Sequence, residues 1–89
     1  MSNEQLPEAN LQSLVSMLAT QAMVAMGILN IPGQEKIEVN LPLAQHMITL
    51  VEMLDKKTKG NKTDEEDKML DQVLYELHMS FVRVKENQK

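Results

Sequence analysis

The chain has 89 residues, 43% of them hydrophobic and 25% charged, with a formal net charge of −4 and no cysteine. That balance describes one small folded domain and argues against disorder, a disulfide framework and a thiolate metal site. Phosphate recognition needs a basic face; here acidic residues outnumber basic ones in both halves, and the run of Lys56, Lys57, Lys59 and Lys62 is flanked by acids.

A domain of this length hides only about 60–65% of its unfolded surface, so association with a second copy is a direct way to gain stability. Aromatic residues are nearly absent, limited to Tyr75 and Phe81. The apolar residues are otherwise Leu, Val, Ile, Ala and eight Met, a set that favours helices. The opening MSNEQLPEAN lacks the basic n-region of a secretory signal, and a cytoplasmic location is expected.

In chain order, a first helix is predicted over about 7–29, inside a stretch from Ala9 to Gln34 that carries no charge. Pro7 suits a first turn, and Glu8 complements the positive end of the helix dipole. Leu11, Leu14, Val15, Leu18, Ala22, Ala25, Met26 and Leu29 recur at helical spacing and form an expected inner stripe. Met17, Val24 and Ile28 form a second apolar line beside it, with Met23 on the far side and small polar residues between. Asn30 and the Pro32-Gly33 pair mark the end. The connection over 30–40 is long for a helical bundle, and its Ile37, Val39 and Leu41 read best as a loop that closes one end of the core.

A second helix is predicted over 41–58. Asn40 is its N-cap, Pro42 is tolerated in the first turn, and Leu43, Ala44, Met47, Ile48, Leu50, Val51 and Leu54 make a broad buried face. Gly60 is the expected left-handed C-cap, with lysines offsetting the negative dipole end. A third helix is predicted over 64–85, introduced by a capping box in which the Thr63 hydroxyl and the Glu66 carboxylate satisfy each other's backbone N–H. Met69, Leu70, Val73, Leu74, Leu77, Phe81 and Val84 line its inner face, and Tyr75, Met79 and Val82 form an outward patch. The tail over 86–89 is expected to fray. The short link makes the second and third helices an antiparallel hairpin, with the first helix packing on it.

The segment KTKGNKTDEEDKMLDQVLYELHMSFV, together with the uncharged leading helix, resembles the small bacterial domain-of-unknown-function family 1844. Lys57-Thr58-Lys59-Gly60-Asn61, Thr63, Glu66, Leu70, Leu74, Leu77 and Phe81 carry the likeness. The resemblance implies an all-α fold and a bacterial cytoplasmic origin, and implies no activity.

No residue set points to catalysis, a cofactor or a metal. His46 and His78 sit on different helices without a ligand-type residue at i+3 or i+4, which fits solvent-edge histidines better than a zinc site. GNKTDEE has one glycine and a run of acids where a phosphate would sit, so capping is the better reading. A membrane span is disfavoured by Ser13, Ser16, Thr20 and Gln21 and by the lack of aromatic or basic anchors. The excess apolar width of the first helix therefore leads to a non-enzymatic interaction module: a homo-oligomer, dimer favoured, that docks an unknown protein partner through Met17, Val24, Ile28, Tyr75, Met79 and Val82. Ala19, Ala22 and Ala25 are expected to let two first helices approach closely. The alternatives are a first helix buried nearly all round within one chain, a small-molecule binder or enzyme with an apolar interhelical pocket, and a membrane-peripheral protein.

Overall fold

The computed structural model describes residues 6–29, 33 and 38–88. The protein is all-α, with α1 (Leu11–Ala25), α2 (Leu41–Lys57) and α3 (Asp64–Asn87), and no strand among the described residues.

The first helix is shorter than predicted at both ends, for local hydrogen-bonding reasons. Its N-cap is Asn10, in extended backbone, whose side chain accepts from the Ser13 N–H at 2.9 Å while the Ser13 Oγ accepts from the Asn10 N–H at 3.1 Å. This capping box satisfies the orphan donors of the first turn and starts the helix at Leu11, leaving Pro7 and Glu8 outside it and exposed. The other end is a Schellman motif. Gly27 takes φ +80°, its N–H donates to the Val24 carbonyl at 3.0 Å, and the Ile28 N–H donates to the Met23 carbonyl at 3.0 Å. Ile28 and Leu29 therefore lie beyond the helix rather than on its last turn.

Asn40 caps α2 by accepting from the Leu43 N–H at 3.0 Å. Its own N–H donates to the Ala25 carbonyl at 2.7 Å, which ties the start of α2 to the end of α1. Within the connection, Gly33 has φ +93°, while Asn30, Pro32 and Ile37 lie outside the described residues. Val39 is exposed, so the loop residues that can be placed do not all close the core.

Helix α2 ends at Lys57, where Thr58 serves as cap and donates its hydroxyl to the Leu54 carbonyl at 2.6 Å. Gly60, at φ +84°, is thus the left-handed residue of the turn that follows rather than the residue adjoining the helix. The turn is secured by Lys62, whose ammonium bonds the Asp55 carboxylate and, at 2.9 Å, the Asp55 carbonyl, with the Asp67 carboxylate 3.7 Å away. Thr63 and Glu66 then open α3 with a reciprocal box, at 3.0 Å and 2.9 Å. The helix runs on to Asn87, two residues past its predicted end, so 86 and 87 are helical rather than frayed.

A cleft is lined by Asn10 and Gln12 at the start of α1 and by Thr63, Glu65, Glu66 and Met69 around the start of α3. The N-termini of α1 and α3 therefore share one end of the molecule, and α2 runs back between them from its tie at Ala25. All three helices touch one another, α1 and α2 most extensively. The core joins Val15, Ala22, Ala25 and Met26 of α1 and its cap to Ala44, Ile48 and Val51 of α2 and to Leu70 and Leu77 of α3. Leu14, Leu29 and Leu43, expected inside, are exposed. The apolar arc of each segment is wider than the groove its neighbours offer, and the edge of the arc stays in water.

Candidate interaction surface

The outward side of α1 is built from residues that the core does not use. At 3.6 residues per turn, Met17 and Val24 fall opposite Val15 and Ala22, which are fully covered. Met17 is 51% exposed, and Ile28, just past the Schellman turn, is 47% exposed; Val24 is half-buried yet does not pack against the core cluster. Around them stand Ser16, Thr20 and Gln21, exposed and uncharged. Met17, Ser16, Thr20 and Gln21 line, with the segment at Pro7 and Glu8, an open groove of about 590 Å3, and Val24 and Ile28 lie outside that lining. The groove lies on the outside of α1 and not between helices.

Ala19, Ala22 and Ala25 do not belong to this surface. Ala22 and Ala25 are buried in the chain's own core, and Ala19 packs against it. Their small size serves the approach of α1 to α2, where Ala44 is also fully buried. Met23 likewise turns inward: its flexible side chain packs on the core from a position the helical wheel places on the far side.

On α3, Tyr75, Met79 and Val82 are 64%, 47% and 52% exposed, opposite the buried Leu70 and Leu77. Their spacing of i, i+4 and i+7 puts them on one line, and Asp71, Glu76, Arg83 and Glu86 are near neighbours on the same helix. The two outward patches thus have similar apolar content in opposite electrostatic settings.

A third patch escaped the sequence reading. Leu43 and Met53 of α2 are exposed, and Leu50, between them at i+7, is half-buried without packing on the core cluster. The signal was present: apolar residues span about two thirds of the α2 circumference, whereas packing on neighbours needs roughly a 100° stripe.

The polar groups are spent on structure. Nε2 of His78 lies 3.0 Å from the Glu52 carboxylate and, facing an acceptor, is its donor, so this pair joins α3 to α2. His46 is exposed on a different helix. The Asp55 carboxylate, through its hydrogen bond and charge, holds the Lys62 ammonium above its usual pKa of 10.5. Among the described residues, no three His, Asp or Glu side chains gather as a metal site, and no helix is long and apolar enough to cross a membrane.

Neither the curated proteins nor the solved structures contain a match to this chain. A family model does match, and it covers residues 8–83, from just before the first capping box to the last turns of α3. The chain belongs to that family, described as a domain of unknown function (DUF1844).

Proposed function

We propose that this protein is a non-enzymatic helical interaction module that self-associates and docks a protein partner. The observation that carries the reading is the set of large apolar side chains held outward on all three helices, on a chain whose fully covered core is small. Surface apolar residues scattered singly need no explanation, but lines of them at helical spacing do. The histidines are exposed and apart, and among the described residues the carboxylates cap helices, pair with Lys62 and His78 or face solvent, which supports a binding rather than a catalytic role. A cytoplasmic setting agrees with a cysteine-free chain.

A small-molecule binder or enzyme would call for an enclosed pocket with converging polar groups; the groove of about 590 Å3 is open and lies on the outside of α1. A membrane-peripheral role would call for Lys or Arg beside the apolar face, and α1 carries neither.

Affinity capture from the native cell tests the docking half of the reading, with the wild type compared against Tyr75→Ser/Met79→Ser. A protein retained by the wild type and lost by the double variant is the expected result. Retention of a lipid or metabolite in its place would turn the reading toward the other two classes.

A further inference from the structure

The α1 surface can be assigned an occupant. Leu14, Met17, Gln21 and Val24 follow one another at intervals of three, four and three residues, the spacing of a two-helix seam. Leu14, Met17 and Gln21 are exposed, and Val24 is half-buried off the core. We infer that this seam pairs with the same seam of a second copy, antiparallel, about a two-fold axis at Gln21. The inference deepens the reading of the protein as a self-associating module and rests on it.

Three observations single out a second copy. First, side chains near a two-fold axis meet their own copies, so any charge there meets its like. The chain carries no charge from Ala9 to Gln34, which makes the α1 face compatible with itself; the α3 patch, with Asp71, Glu76, Arg83 and Glu86 around it, lacks that property. Second, the orientation follows from the nearest charge, Glu8, which lines one end of the groove. A parallel pair would set two Glu8 carboxylates side by side. An antiparallel pair keeps them at least about 30 Å apart at 1.5 Å per residue, several Debye lengths at physiological salt. Third, the seam is left uncovered within one chain: Leu14 is 39% and Met17 51% exposed, although Val15 and Ala22 of the same helix are fully covered.

In this arrangement Met17 of one copy meets Val24 of the other, Leu14 meets the Ile28 end, and the two Gln21 side chains face each other. A paired amide at the centre of an apolar seam fixes register, because any slip leaves it without its partner.

Sedimentation equilibrium on the full chain tests the seam. The wild type should dimerise at micromolar concentration. Gln21→Glu and Gln21→Lys, both at an exposed position, should each raise the dissociation constant by about tenfold or more, while an equal mixture restores the dimer by pairing opposite charges. Helical circular dichroism of both variants should match the wild type, and so should melting at concentrations well below the wild-type dissociation constant, where all three are monomers. Because the chain has no native cysteine, cross-linking reads the orientation: oxidation should link Gln21→Cys to itself and Met17→Cys to Val24→Cys, but not Leu14→Cys to itself. A wild type that stays monomeric, variants that dimerise as well as the wild type, or self-linked Leu14→Cys would each overturn the inference. A monomeric wild type would also remove the self-association half of the proposed function, whereas variants that dimerise as well as the wild type, or self-linked Leu14→Cys, overturn the seam alone; capture of a partner through Tyr75 and Met79 is read separately.

Discussion

Helices α1 and α3 start in the same way and end differently, and they treat their outer faces differently. Both open with a reciprocal capping box, Asn10 with Ser13 and Thr63 with Glu66. Both carry apolar side chains opposite their buried faces. Yet α3 places four acids in its first turn and charges beside its patch, whereas α1 has no charge at all and is halted by a glycine turn. Similar apolar content therefore permits different partners: a face without charge can meet itself, and a face with mixed charge asks for a complementary surface.

The sharpest test of this contrast sets inner against outer positions on one helix. Leu77→Ala removes a fully buried side chain and should destabilise the fold by about 2–5 kcal/mol in chemical denaturation. Tyr75→Ser, two residues away on the exposed side, should stay within about 0.5 kcal/mol. Equal losses from both would mean that the α3 patch belongs to a core, and the contrast between the faces would collapse.

The two helix ends come next. Gly27→Val forces a β-branched residue into left-handed backbone and should cost about 1–2 kcal/mol, read as a lower melting temperature. Helix α3 has no such dependence, since its cap Gln88 sits at φ −85°.

The caps should differ less. Thr63→Ala and Asn10→Ala each remove one half of a box, at about 1 kcal/mol apiece. Added salt should separate the two helices, because the acids of the α3 first turn gain from the dipole and α1 has none to screen.

The smallest effect is alkaline. The Lys62 pKa is raised in the folded protein by Asp55, first through the hydrogen bond, with burial opposing. A raised pKa means that the unfolded chain loses this proton first as pH rises. The stabilisation is complete below the ordinary lysine value of 10.5 and fades as pH climbs through the higher folded value. Melting temperatures followed above pH 10 should fall more steeply in the wild type than in Lys62→Met, which starts lower and has no such group to titrate.

Much of this was legible in the amino-acid order. The all-α class follows from helical periodicity in three segments, and the Thr63 and Asn40 caps act through residues three positions away, so their geometry is local. The Asn10-Ser13 box and the Gly27 turn are equally local, but the apolar pattern of α1 continues past Gly27 to Ile28 and Leu29 and so hides that end. Periodicity reports which side of a helix is apolar; it does not report where hydrogen bonding ends the helix. Pro7 and Glu8 supplied plausible first-turn chemistry, yet a box that satisfies the donors of the turn at Asn10 overrides them.

The sequence alone determined that there are three helices, that the second and third are joined by a short turn, and that one helix carries no charge. Those properties depend on residues within a turn or two of each other. Only the tertiary structure decided which part of each apolar arc is covered. A small bundle gives each helix two neighbours, and their grooves hide a limited stripe. Val15 and Ala22 came to lie in it while Met17 did not, Ile48 and Val51 did while Leu43 and Met53 did not, and the alanines that suggested a contact between copies were consumed within one chain. Which residues remain for a partner is set by how far the neighbouring helices reach, a distance that no single helix encodes.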